Sequence, residues 1–395
     1  MKKSTFILAL FPFLFVLYEL SGNLTNDMFL PALLQIANDF GVSPSLVQIT
    51  ITSWLVGQSI SYVLLGPLSD RFGRKTILVS GGLAFVVATA ACALSENVVQ
   101  LLVFRIFQGA GVASILISGY ASVHELYDTD RATRILTWTS SAAVVAPMMG
   151  PLMGSWVLLF GSWQDIFWII FVFSLLILAI LIFIMPESLE KKDRLSLNPQ
   201  ALGISYLNIL KNRSFMMRSF TFDFHFGAMI GWTTTSPVIV MKVYDYSPTA
   251  FGYLQIPVFV GFILGAQIAR YMLSRVGRDP IIRAGVYTLL IGGVGMVIAA
   301  LFFSETLFGL LAMVSLSSMG FGLAAAPLSK EALLTTKEGT GITTAVFFLL
   351  MFGTGSLVSM GISLIEDTPL VIALFVFCLG LLASLTFRMR GKLPA

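Results

Sequence analysis

The sequence predicts an all-α membrane protein with twelve transmembrane helices in two pseudo-symmetric six-helix bundles. Three observations predict it. The 395 residues are 57% hydrophobic and 11% charged, with a mean hydropathy of +0.90. A soluble domain carries about 25% charged residues, so a soluble chain of this composition would lack the polar surface to stay dispersed. Twelve mostly apolar stretches succeed one another, each near the roughly 20 residues that a bilayer crossing needs. A short charged motif also recurs about half a chain later.

The stretches lie near 6–33, 45–67, 75–94, 98–121, 132–159, 164–185, 215–242, 248–273, 280–302, 306–329, 340–364 and 369–388. The connections are short except for one polar segment, about 187–214, which begins ESLEKKDRLSLNPQ. The expected organisation is therefore an N-terminal bundle over 1–186, a linker over 187–214 and a C-terminal bundle over 215–395. Met1-Lys2-Lys3 precedes an apolar run as in a signal peptide. The run continues into polar positions with no small-residue cleavage site, so it reads as the first span.

Lys and Arg set the orientation. The N-terminus, the even-to-odd connections and the C-terminus carry 22 of the 24 basic residues. Lys242 falls on the other side and Arg105 falls inside a span. Both termini are expected in the cytoplasm. Basic loops facing anionic lipid explain the net charge of +4 without a nucleic-acid partner. Cys92 and Cys378 sit in apolar runs and read as small apolar fillers. His124 and His225 are too few for a histidine metal centre. With no metal cluster, nucleophile–base pair or phosphate loop legible, neither an enzyme nor a cofactor is expected.

The recurring motif supports two related halves. Asp70-Arg71-Phe72-Gly73-Arg74 comes after the second span, and Ser274-Arg275-Val276-Gly277-Arg278 comes after the eighth, 204 residues later. The first copy belongs to a turn that begins at Gly66, where glycines permit close backbone approach. Asp70 can pair with a base while Arg71 and Arg74 face an interface. A breakable charged gate is expected from Gly66, Asp70, Arg71, Gly73 and Arg74.

Ionisable groups inside a span are expensive, so they usually have a function or a partner. Glu19 and Asp27 lie eight residues apart on span 1, about 12 Å of rise and slightly over two turns. They share a face, with Asn23 and Asn26 extending the polar stripe. Such a carboxylate can exchange a proton for a cationic ligand. Arg105, on span 4, cannot deprotonate to escape burial. Asp27, Asn26 and Gln108 are its expected partners, in a network that protonation of Asp27 would loosen. Asp223 and His225 on span 7 are two apart and point to different sides, so they form no obvious pair. On span 5, Gly150 and Gly154 have the small-xxx-small spacing that brings helices close, and Pro147 and Pro151 can kink the helix.

Together, GPLSDRFGRK, Arg105-Ile106-Phe107-Gln108-Gly109-Ala110-Gly111 and APMMGPLMG resemble the signatures of the major facilitator superfamily, among its twelve-helix drug/proton antiporters. Span 1, FPFLFVLYELSGNLTNDMFLP, is similar to the multidrug facilitator A (MdfA-type) group, as are SPVIVMKVYDYSPTAFGYLQIPVF and Lys330. The resemblance implies export of lipophilic cations and neutral drugs across the bacterial inner membrane in exchange for protons. It implies proton coupling and cation recognition at Glu19 and Asp27, modulation by Arg105, and a monomer in the lipid bilayer. The span 5 signature is the one associated with antiporters. Asn23, Asp223, His225 and Lys330 are candidates for the substrate cavity. So are the polar Ser141 and Gln255 and the aromatic Trp232 and Phe347. The chain departs from the group at Asn23, usually a tyrosine; at Lys330, usually an arginine, with Glu331 beside it; and at Asp223 and His225, usually uncharged. These departures keep a second expectation open, a dedicated exporter of one metabolite such as a siderophore or sugar.

Overall fold

The computed structural model describes residues 2–190, 192, 194, 199–336 and 338–391, with side chains other than those of 2–9, 140–143 and 199. No strand occurs among the described residues. The helices are α1 (Lys2–Asp27), α2 (Leu33–Phe40), α3 (Pro44–Phe72), α4 (Arg74–Ala93), α5 (Val98–Leu126), α6 (Thr129–Val157) and α7 (Trp163–Ile184). They continue with α8 (Pro199–Lys211), α9 (Arg213–Val238), α10 (Pro248–Val276), α11 (Arg278–Phe302), α12 (Leu307–Leu333), α13 (Thr340–Ser363) and α14 (Pro369–Met389). All but α2 and α8 have 20 residues or more, which gives the twelve long helices of the expected fold. Among the described residues, ten of these are long and apolar enough to cross a membrane. The other two, α1 and α9, are those that carry Glu19, Asp27, Asp223 and His225.

Short polar residues start several helices. The side chains of Asn97, Asp128, Asn212, Ser247 and Thr368 accept from backbone N–H groups in the first turns of α5, α6, α9, α10 and α14. The helices form two compact units, Met1–Ala32 with Ser53–Pro199 and Leu33–Thr52 with Gln200–Ala395. In the first unit, α4 packs on α5 and α7, and α1 on α6 and α7. In the second, α12 packs on α10 and α11, and α9 on α12, α13 and α14. The start of α3 belongs to the second unit. There Gln48 donates to both carboxylate oxygens of Asp367 (3.0 and 3.1 Å) and Thr52 donates to Ser359 (2.9 Å).

The internal repeat is visible in the packing. Gly57 of α3 lies against the Ile106 carbonyl of α5, with no room for a Cβ. Gly261 of α10, 204 residues on, lies in the same way against the Ser315 carbonyl of α12. Gly73 (φ 101°) and Gly277 (φ 77°) each join two helices through a single residue in the left-handed region. A side chain there would be strained.

Four segments differ from the sequence expectation. The first helix ends at Asp27, followed by a 3-10 turn at Leu30–Ala32; Pro31 has no N–H to give and disfavours a helical residue before it. Around Gly66-Pro67 no turn forms, because α3 continues to Phe72 and only Gly73 breaks it. The seventh long helix ends at Val238, just after Pro237, and passes into a π turn at Ile239–Val243. The polar linker contains α8, which starts at a proline suited to the first helical turn and buries Ile209 while leaving Ile204 and Leu207 exposed.

Candidate functional site

In the first unit, a charge network is built on the end of α1. Arg105 is fully buried on α5. Its Nη1 donates to the Thr25 carbonyl (2.9 Å) and to Gln108 Oε1 (2.8 Å), and its Nη2 to Asn26 Oδ1 (3.2 Å). The guanidinium also lies over the Phe29 ring, 4.4 Å from its centroid. Because α1 stops at Asp27, the Thr25 carbonyl is one of the last four of the helix, which lack helical donors and carry the negative end of its dipole. An early helix end thus supplies an acceptor for a buried cation. Gln108 passes its own donor on to Thr89 (2.9 Å).

Asn26 joins the acid to the base. Its Oδ1 accepts from Arg105, and its Nδ2 lies 3.5 Å from Asp27 Oδ1. Asp27 is only 7% exposed. The glycines of α6 hold it from the other side. A Cβ at Gly150 would stand 2.6 Å from Asp27 Cβ, and one at Gly154 would collide with the Met28 carbonyl. The small-residue spacing on α6 therefore serves the close approach of α1 at its acidic end. Pro147 and Pro151 lie inside the unbroken α6.

Glu19 is 2% exposed. Its Oε1 accepts from the Tyr120 hydroxyl of α5 (3.2 Å), and its Oε2 is buried without a hydrogen-bond partner. Asn23, half-buried, turns its amide back to the Glu19 carbonyl (3.2 Å). The Tyr120 partnership is invisible in the sequence, where a tyrosine on an apolar helix has no distinguishing neighbours.

The other cavity candidates are dispersed in the second unit. Trp232 donates to Gln255 (2.9 Å) with both side chains buried. Phe347 packs edge-on against Phe222 at 5.0 Å. Asp223 and His225 have no exposed surface. His225 Nδ1 lies 2.7 Å from the Thr221 carbonyl, which can only accept, so Nδ1 carries the proton. Lys330 is exposed near the end of α12, on a cleft of about 790 Å³ shared with Arg278 and Asp279. The Ser141 side chain lies outside the described residues.

Each unit also holds a charge cluster. In the first, Arg74 pairs with Asp70 (2.5 Å) and Glu125 (2.9 Å), while its backbone N–H donates to Glu187 (2.8 Å). Arg71 points instead over the Phe72 ring, and Gly66 has open space around it. In the second, Arg218 Nε donates to Glu331 (3.2 Å), and its other nitrogens to Ser214 and to the carbonyls of Arg390 (2.7 Å) and Gly391 (3.2 Å). Arg390 in turn reaches Asp279 at 2.7 Å. Glu125, Glu187 and Arg390 have no site role in the sequence reading, which names Glu331 only as the neighbour of Lys330.

Paired helical units with ionisable groups inside their long helices define a secondary transporter of the membrane. The Major Facilitator Superfamily model matches residues 17–360, and the chain belongs to that superfamily. It is 33% identical over 347 residues to the multidrug transporter MdfA of Edwardsiella ictaluri, a match that covers 86% of this chain and 83% of that one. It is 32% identical over 289 residues to the multidrug resistance protein MdtM of Salmonella typhimurium, over 71% of this chain and 70% of that one. A crystal structure of a D-xylose–proton symporter superposes with a TM-score of 0.74 over 97% of both chains at 18% identity, a likeness of fold alone. Membership of this superfamily makes the chain a multi-pass membrane transporter rather than an enzyme.

Proposed function

We propose that the protein is a proton-coupled antiporter that exports lipophilic cationic and neutral drugs across the bacterial inner membrane by alternating access. It acts as a monomer with both termini in the cytoplasm. The observation that carries this reading is the bridge made by Asn26 between Arg105 and Asp27. A proton on Asp27 removes the charge that the Asn26 amide and the guanidinium serve, and so alters how α1 and α5 are held together. Glu19, with one carboxylate oxygen unpartnered, is the recognition site for the cationic centre of a substrate. The multidrug names of MdfA and MdtM support the substrate class. The dedicated-exporter reading drew on Asn23, Asp223 and His225 as polar cavity residues.

Ethidium-driven proton release in everted vesicles tests the proposal. Wild type is expected to release protons on ethidium addition, and Glu19→Gln is expected not to. Wild type that responds neither to ethidium nor to neutral drugs would overturn the reading in favour of export of a single metabolite. Asp27→Asn should lose the pH dependence of transport; a profile like that of wild type would remove Asp27 from the coupling step.

A further inference from the structure

Outside the network of α1 and α5, α9 places a further carboxylate that no described residue hydrogen-bonds. Asp223 has no exposed surface, and neither carboxylate oxygen has a hydrogen-bond partner. The flanking side chains are aromatic hydrocarbon. Phe222 lies edge-on to Phe321 (5.4 Å) and Phe347 (5.0 Å), and Phe226, one turn beyond Asp223, lies edge-on to Phe352 (5.8 Å). His225 is on another side of the helix and its Nδ1 bonds the Thr221 carbonyl.

The elements packed against α9 are α2, α12, α13, α14 and the π turn. None offers Asp223 a charge. There is no ionisable residue in α13. In α14, Arg388 reaches Tyr287 at 3.5 Å and Cys378 is exposed. In α12, Lys330 and Glu331 lie near the helix end, with Glu331 held by Arg218. In α2 and the π turn the ionisable residues are Asp39 and Lys242, and on α9 itself Arg213 stands at the first position. None of these forms an ion pair or hydrogen bond with Asp223 among the described residues.

An ionised carboxylate buried without a cation or a protein donor is costly, and such a group neutralises instead. We infer that Asp223 is a proton-binding site of the second unit, separate from Glu19 and Asp27. It stands as a carboxylic acid in this conformation and gives its proton to water when the transport cycle wets α9. The inference does not depend on the drug/proton exchange proposed above, because protonation is read directly.

Infrared difference spectra of the purified full chain in detergent near neutral pH test it. A carboxylic acid has a C=O stretching band that a carboxylate lacks. Asp223→Asn is expected to lose one such band that Glu19→Gln and Asp27→Asn both retain. Loss of a carboxylate band instead, or no change in either region, would overturn the proposal. Should the Asn variant not be recovered, Asp223→Glu keeps the acid and is expected to move the band, and an unmoved band overturns it equally. In vesicles, the pH profile of transport should shift in Asp223→Asn; a wild-type profile alongside band loss would leave the acid no part in the cycle.

Discussion

The charge clusters of the two units differ in their access to water. In the first unit, Asp70 is 38% exposed, Glu125 28% and Arg74 11%. In the second, Arg218, Glu331 and Arg390 are 1%, 2% and 8% exposed, and only Asp279 is open to solvent, at 60%. A half-exposed set can open because water takes up each released charge. A buried set cannot, because each partner left behind is an unpaired charge in a low-dielectric place. The first unit therefore has a separable contact and the second a fixed joint.

Four substitutions would break or sharpen that contrast. Glu331→Gln leaves Arg218 and Arg390 without their buried anion and should destabilise the protein by about 3–5 kcal/mol, read as a large fall in the thermal unfolding midpoint in detergent. Arg218→Lys should rank next, at about 1–3 kcal/mol. A single ammonium cannot reach Glu331 and two backbone carbonyls as a fork does, and an abandoned acceptor costs its desolvation. Glu125→Gln removes a partly solvated pair and should cost no more than about 1 kcal/mol, an effect that added salt ought to shrink further. Glu190→Gln breaks an ion pair with Lys192 in which both side chains are at least 70% exposed, and its unfolding midpoint should match wild type. If Glu125→Gln proved as damaging as Glu331→Gln, the distinction between separable contact and fixed joint would fail.

The expense of burying charge also explains what was legible beforehand. Arg105, Asp27 and Glu19 stand out in apolar runs because only a partner or a function keeps them there, and the sequence names Asn26 and Gln108 by their spacing. The Thr25 carbonyl could not be named, because it becomes an acceptor only when α1 ends early at Pro31's approach. Arg218 and Arg390 resemble the basic residues that set membrane orientation, and composition does not separate a buried arginine from one facing lipid headgroups. The small-residue spacing on α6 announces close packing but not that the neighbour is Asp27. The helix α8 escaped notice because its apolar residues follow the polar start of the linker and, among those described, only Ile209 is buried. Ten of the twelve long helices, by contrast, follow from hydropathy and length alone, which is why the fold was clear while the contacts within it were not.

The grip of Arg218 on the carbonyls of Arg390 and Gly391 bears on how the protein is handled. An affinity handle or fluorescent reporter joined directly after Met389 would replace Arg390, whose side chain reaches Asp279, and Gly391, whose positive φ of 68° lets its carbonyl meet the buried guanidinium. A linker that begins beyond Gly391 keeps them. Reporter brightness or yield from a series of junctions across these residues would then fall abruptly at one peptide bond rather than gradually with length.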